Sequence, residues 1–107
     1  MSEGELETLV KTLKALANPL RLRIIANLAQ KPKHAYALAK ELGISYPLAH
    51  LHLKGLKKMK LIEEVESEKR AEGRPPVKTY APTEFALLIT PEKIHNVVYE
   101  KEEKMHE

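Results

Sequence analysis

The side chains best suited to chemistry lie between residues 45 and 59, where basic and polar residues recur at helical spacing. At about 100° per residue, a helix through this segment has an apolar side and a basic side. The apolar side carries Ala49, His52, Leu53, Leu56 and Met59, and the other side carries Pro47, His50, Lys54, Lys57 and Lys58. Outward ammonium and imidazole groups can donate hydrogen bonds to phosphates and base edges, which is the chemistry of nucleic-acid binding. The alternative is an ordinary surface helix with a solvated lysine face.

The charge of the chain is concentrated in the same region. Residues 31–62 hold seven lysines against Glu41 alone, a net charge of +6, whereas residues 84–107 come to −3. The formal total of +3 hides this asymmetry. Because nucleic-acid binding follows the local field at the phosphates contacted, the basic block favours double-stranded DNA as a partner.

Composition limits the classes of protein to which the chain can belong. Its 107 residues have room for one domain with one core, which we expect to span residues 1–107. No apolar run approaches about 18 residues and no signal-peptide pattern is present, which predicts a cytoplasmic protein without a membrane span. All fifteen acidic residues are Glu and fourteen of eighteen cations are Lys, a bias typical of thermophilic proteins or of a helix-rich fold.

Catalytic patterns are missing from the sequence. The chain has no cysteine, which excludes disulfides, thiolate metal sites and thiol catalysis. It has no Gly-rich phosphate loop, and no two carboxylates are paired in a pocket-forming pattern. We therefore predict that the protein is not an enzyme and needs no cofactor.

The elements around the basic face form a recognisable order. A short helix, a tight turn at Gly43 and a second helix opening at Ser45 are predicted between residues 35 and 59. A bihelical unit whose second helix presents cations outward is how helix-turn-helix proteins enter the DNA major groove. Alternating residues after Leu61 and before Pro82 predict two strands joined by a turn at Gly73, so residues 62–82 would form a β-hairpin wing.

Two further helices precede this unit and one follows it. The segment 5–17 is amphipathic, and Asn18 with Pro19 predicts an N-cap and first residue for the next helix. Thr90 and Pro91 predict the same kind of start for a last helix. The expected fold is therefore mainly α with a small wing, a winged helix-turn-helix with terminal helices at 1–17 and 91–107.

Three segments carry a family resemblance over about residues 8–95. LKALANPLRLRIIANL and LGISYPLAHLHLKGLKKMKLI resemble the signature of ArsR-type winged-helix repressors, and EGRPPVKTYAPT is similar to the wings of the same group. KHAYALAKEL also resembles PadR-type regulators. The resemblance implies a dimeric DNA-binding transcriptional repressor. The chain departs from it at His50, where the family commonly has Ser, and at Leu51, where it has a polar or basic residue.

The predicted roles follow from position along the second helix. Tyr46 and Pro47 are in its first turn, which reaches base edges, and His50 can donate to a base or a phosphate. Lys54 and Lys57 lie further along and are predicted phosphate contacts. The full set of predicted DNA contacts is Ser45, Tyr46, Pro47, His50, Leu51, Lys54, Lys57, Arg70, Arg74 and Lys78.

Roles are also predicted for the wing and for residues beside the outward face of the second helix. Arg74 at the hairpin tip is predicted to enter the minor groove, with Arg70 and Lys78 beside it toward the backbone. Leu51 could contact a thymine methyl, a partner protein or nothing. Arg21 and Arg23 are predicted to pair with glutamates, and His52 to be a satisfied structural histidine.

The terminal helices have more apolar surface than a small core needs. We expect a homodimer interface formed by Leu6, Leu9, Leu13, Ile94, Val97 and Val98. His95 and His106 share a helix face, but they are about 16 Å apart along one helix, and we predict no metal site. Whether a small-molecule or metal effector binds is open. The alternatives to a sequence-specific regulator are a DNA-coating architectural protein and a winged-helix protein-interaction module.

Overall fold

The computed structural model describes residues 4–65 and 77–106, with the backbone alone beyond Tyr99. Its elements are α1 (Glu5–Leu16), α2 (Pro19–Gln30), β1 (Lys33–His34), α3 (Ala35–Leu42), α4 (Tyr46–Lys58), β2 (Ile62–Val65), β3 (Thr79–Pro82) and α5 (Pro91–His106). The predicted mainly α fold with a small antiparallel β element is confirmed. Residues 66–76, the middle of the predicted wing, lie outside the described residues.

Three helices begin where the sequence predicts, because a side-chain oxygen satisfies backbone N–H groups that have no partner within the helix. Asn18 Oδ1 accepts the N–H groups of Leu20 and Arg21 at the start of α2, at 2.9 and 3.3 Å. Ser45 Oγ accepts the N–H of Leu48 in α4 at 3.2 Å. Thr90 does the same for Lys93 in α5 at 3.0 Å.

The turn between α3 and α4 depends on Gly43. Its φ of 67° lies in the left-handed region, where a side chain would be strained. The following residue, Ile44, closes α3 by donating its N–H to the carbonyl of Ala39 at 3.0 Å. This left-handed cap lets the chain leave α3 and start α4 within three residues.

The β-sheet has three strands in the order β1-β3-β2, all antiparallel. The two-stranded wing predicted from sequence is therefore incomplete, because the short strand β1 adds to the other edge of β3. Register pairs Lys33 with Tyr80 across β1 and β3, and Glu64 with Tyr80 across β2 and β3. His34 then caps α3, its Nδ1 accepting the N–H of Ala37 at 3.1 Å.

Residues 15–85 form one compact unit with a continuous core. The fully buried side chains come from α2, α3, α4 and β2, and they join the helix-turn-helix to the sheet. They are Ile24, Leu28, Leu38, Leu53, Leu56 and Ile62. Because α4 contributes two of them, the orientation of its outer face is fixed by this core.

The other compact unit takes in most of α1 and the chain from Ala86 through α5. Large apolar side chains on both helices are exposed in the single chain, among them Leu6, Leu13, Ile94 and Val98, at 37 to 44%. Val97 differs, because only 8% of it is exposed. Among the described helices of both units, none is long and apolar enough to cross a membrane.

Candidate nucleic-acid interface

The outer face of α4 is set by three buried residues, Ala49, Leu53 and Leu56. At about 100° per residue, the side of the helix directly opposite these three residues carries Pro47, Leu51 and Lys58. All three of those residues are exposed, as are Tyr46, His50, Lys54 and Lys57. The predicted division of α4 into a buried stripe and an outward basic face is confirmed.

Tyr46 and His50 lie on the flank of α4 that faces β3. Their rings stack nearly parallel, with an interplanar angle of 10° and centroids 6.0 Å apart. They form one wall of an open cleft of about 350 Å³ between α4, the start of α3 and β3. Its main lining residues are His34, Tyr36, Tyr46, His50, Lys78 and Tyr80.

The cleft is lined mainly by hydrogen-bonding side chains. It is lined by two imidazoles and one ammonium, and by no carboxylate among the described residues. Tyr80 is buried at its base, and burial raises the pKa of this phenol, with a further contribution from the negative charge of Glu64. The phenol is therefore neutral at neutral pH.

Two of the predicted phosphate contacts share an acidic partner within the chain. The Lys57 ammonium donates to Glu64 Oε1 at 2.7 Å, and Lys78 lies 3.6 Å from the same oxygen. The hydrogen bond from Lys57 lowers the pKa of Glu64, and the hydrogen bond to Glu64 raises the pKa of Lys57. Since the pair is solvent-exposed, a phosphate can compete for either lysine.

Two other cations on α4 are uncommitted. Lys54 and Lys58 are exposed, and neither forms an ion pair with any described residue. Lys58 is close to the centre of the outward face, so it belongs with the candidate DNA contacts. The helical spacing already placed Lys58 on the basic side, and that spacing was the signal available for including it.

The opposite flank of α4 contacts α2. Arg21 Nε donates to His52 Nδ1 at 3.1 Å, which corrects the prediction that Arg21 pairs with a glutamate. The predicted structural role of His52 is confirmed. Burial lowers the pKa of His52, and the neighbouring Arg21 charge lowers it further, so the imidazole is kept neutral and able to accept this hydrogen bond.

The structure describes only some of the remaining predicted site residues. Arg70 and Arg74 lie outside the described residues, so their minor-groove role remains a prediction. Ser45 is at the N-terminus of α4, and its oxygen is engaged as the cap. Among the described residues, no group of three or more His or Glu side chains could hold a metal ion.

Two sequence comparisons bear on this arrangement. The family model described as "Bacterial regulatory protein, arsR family" matches residues 18–64, from the cap of α2 into β2. An uncharacterized HTH-type transcriptional regulator of Methanocaldococcus jannaschii is 40% identical over 85 residues, which are 79% of this chain and 86% of that protein.

Solved structures share the fold. A homodimeric winged helix-turn-helix DNA-binding domain from Mycobacterium bovis, described as a possible ArsR-family regulator, has a TM-score of 0.59 and 23% identity, over 99% of this chain and 90% of that chain. NolR from Sinorhizobium fredii has a TM-score of 0.60 and 25% identity, over 91% of this chain and 86% of that chain. The fold is therefore a winged helix-turn-helix with an ArsR-like segment at residues 18–64, and the chain belongs to the HTH-type transcriptional regulators.

Proposed function

We propose that this protein is a sequence-specific regulator of transcription that binds double-stranded DNA as a homodimer and inserts α4 into the major groove. The observation that carries the proposal is the outward face of α4. This face presents the ammonium groups of Lys54 and Lys58, which have no ion-pair partner in the described part of the chain, on a helix fixed by a buried stripe and a serine cap. A helix held in this way pays little conformational entropy when it docks in a groove.

The first two turns of α4 are assigned to base reading. Tyr46, Pro47 and His50 are exposed at the end of the helix that reaches base edges first. Leu51 is 62% exposed, and an aliphatic side chain in the groove would favour a thymine methyl. Ser45 keeps its O–H as a donor for a phosphate, because the cap uses only its oxygen as an acceptor.

The later turns of α4, and Lys78 on the far wall of the cleft, are assigned to the DNA backbone. Lys54, Lys57 and Lys58 follow the reading residues along α4, where the helix leaves the groove. Lys78 lies on the far wall of the cleft. Since the strand beside an occupied major groove would pass along the flank of α4 that faces β3, its phosphates would run near Lys78.

Dimerisation is assigned to the exposed apolar residues of α1 and α5. Leu6, Leu13, Ile94 and Val98 keep more than a third of their surface exposed in the single chain. The similar domain from Mycobacterium bovis is described as homodimeric, which supports the same state here. A twofold dimer would bind a pseudo-palindrome with half-sites about 34 Å apart, one turn of DNA.

Selection of bound duplexes from a random DNA pool tests the proposal. We expect enrichment of a pseudo-palindrome and a binding constant that falls steeply with salt. Binding without any enrichment would instead support an architectural, DNA-coating protein. No binding at low salt would overturn DNA binding altogether and leave the winged helix as a protein-interaction module.

A further inference from the structure

Gly55 lies in the middle of α4, where the missing side chain makes room for α2. A Cβ placed on Gly55 would lie 2.9 Å from Arg21 Nη2 and 3.5 Å from Arg21 Cζ. Such a contact is closer than carbon and nitrogen atoms normally approach, so the guanidinium occupies the space that any other side chain would take. Gly55 therefore creates a gap in the surface of α4 that Arg21 fills.

The gap borders the outward face of α4. Gly55 is four residues after Leu51 and three before Lys58, so it is a helical neighbour of both. These two residues point away from the buried stripe and are exposed. The Arg21 guanidinium thus lies at the edge of the same face that the proposed function assigns to DNA, although Arg21 belongs to another helix.

The charge of Arg21 is oriented but not neutralised. Its Nε–H group donates to the neutral Nδ1 of His52, which fixes the plane of the guanidinium. Among the described residues, no carboxylate forms a salt bridge with it. The Nη groups still carry four N–H donors, and a planar fork of this kind matches two phosphate oxygens.

We propose that Arg21 is a DNA-backbone contact, delivered to the edge of α4 through the Gly55 gap and oriented by His52. This inference rests on the proposed function, since it needs α4 to lie in the major groove. A groove has a phosphate strand on each side. Lys78, on the cleft side of α4, faces one strand, and Arg21 lies on the opposite flank of α4, toward the other.

The alternative is that Arg21 only stabilises the fold and does not contact DNA. A matched pair of variants distinguishes these two roles. Arg23 is exposed on the same helix two residues later, and contrary to its predicted pairing with a glutamate it forms no salt bridge with any described residue. Arg21→Gln and Arg23→Gln therefore remove the same charge from the same helix. Binding of each to a random-sequence duplex is measured over a range of salt concentrations, with the melting temperature of each protein as a second readout.

We expect Arg21→Gln to weaken binding to the random duplex by about tenfold in 0.1 M salt, and to reduce the salt slope by about one unit per copy of Arg21 at the DNA. Arg23→Gln should lower affinity much less and leave the slope unchanged. If Arg21→Gln lowers only the melting temperature and has the same slope as Arg23→Gln, Arg21 is structural and the inference is overturned.

Gly55→Ala provides a test in which DNA binding should change while stability should not. Alanine is more favourable than glycine inside a helix by about as much as one hydrogen bond contributes, which offsets the loss of the Arg21–His52 hydrogen bond, so the melting temperature should change little. DNA affinity should nevertheless fall about as much as in Arg21→Gln, because the guanidinium is pushed out of place. Unchanged affinity in a folded Gly55→Ala protein would overturn the inference.

The failure of this inference is distinguishable from failure of the proposed function. Lys54→Gln with Lys58→Gln tests α4 itself on the same duplex. If these lysine changes weaken binding and Arg21→Gln does not, α4 binds DNA and only the Arg21 assignment is wrong. If wild-type protein does not bind the duplex at low salt, the proposed function and the inference that rests on it are both wrong.

Discussion

Lys57 and Glu64 form a 2.7 Å ion pair that links the last turn of α4 to strand β2. Lys78 approaches the same carboxylate oxygen from the chain just before β3, at 3.6 Å. One acidic side chain therefore faces two cations that are assigned to DNA phosphates. The carboxylate holds both lysines near α4 in the free protein, but it also competes with phosphate for them.

Glu64→Gln is expected to increase affinity for duplex DNA about three- to tenfold at low salt, because a charge that repels phosphate is removed and both lysines are released. The gain should shrink as salt rises, since the effect is electrostatic at an exposed site. Fluorescence anisotropy of a labelled duplex, titrated at several salt concentrations, measures it.

Glu63→Gln is the matched control for that substitution. Glu63 is exposed on the same strand, its side chain points to the other face, and it has no described partner. We expect a smaller gain from Glu63→Gln. Equal gains from the two substitutions would show that only net charge matters and that the Lys57–Glu64 contact has no specific role in DNA binding.

The pair of Arg21 and His52 predicts a pH dependence of folding stability. Burial and the Arg21 charge lower the pKa of His52 in the folded protein, so the unfolded chain binds a proton more readily. The contribution of His52 to the free energy of unfolding is therefore complete above the pKa of the unfolded chain, about 6.5. It is lost as the pH falls from there toward the lower pKa of His52 in the folded protein. Arg21 on α2 is the described charged group that faces this imidazole.

Thermal unfolding at pH 7.5 and pH 5.5 measures this dependence. His52→Gln is the control, because its amide oxygen can still accept from Arg21 Nε but does not titrate. We expect the melting temperature to fall further between pH 7.5 and pH 5.5 in the wild-type protein than in His52→Gln. The same loss in both proteins would assign the acid sensitivity to other groups.

The terminal helices predict a dimer that depends on exposed apolar residues. Ile94→Glu together with Val98→Glu should give folded monomers, because both side chains are exposed in the single chain and lie one turn apart on one face of α5. Asn96→Glu adds a carboxylate elsewhere on the same helix and should leave the dimer intact. Sedimentation velocity distinguishes the outcomes, and an unchanged dimer in the double variant would place the interface elsewhere.

Val97 lies on the same helix as Ile94 and Val98, but it is buried within the protomer. The sequence predicts Val97 as an interface residue beside Val98, but the structure leaves only 8% of it exposed in a single chain. We expect Val97→Glu to lower the melting temperature of the protomer itself, since it would bury a charge. Helical periodicity identifies an apolar stripe, but it does not separate residues that face the protomer from those that face a partner.

Much of the fold was predictable from local signals. Asn18, Ser45 and Thr90 identify helix starts, because each satisfies N–H groups within three residues of itself. Gly43 identifies a helix end through its own backbone conformation. These interactions are short-range, so sequence spacing alone determines them, and the outward face of α4 follows from the same periodicity.

The features that were not predictable depend on contacts distant in sequence. Strand β1 has only two residues, and it forms because Lys33 and His34 meet β3 more than forty residues later. Arg21 pairs with His52 rather than with a glutamate because Gly55 opens a place for its guanidinium. The acidic partner of Lys57 and Lys78 is likewise set by how the sheet packs against α4.

Base reading and backbone positioning along α4 are expected to respond differently to substitution at His50 and at Lys54. His50 lies in the second turn, stacked on Tyr46 and exposed toward the groove, so its hydrogen bonds should depend on base identity. Replacing His50 by Ala should cost ~1–3 kcal/mol of binding free energy on the selected site and little on random DNA.

Lys54 is the control for this substitution, because it is exposed one turn later and has no ion-pair partner among the described residues. Lys54→Gln should weaken binding to both duplexes alike and reduce the salt slope. Equal losses on both duplexes for His50→Ala would contradict the assignment. His50 would then contact a phosphate from the cleft, and base reading would be left to Tyr46, Pro47 and Leu51.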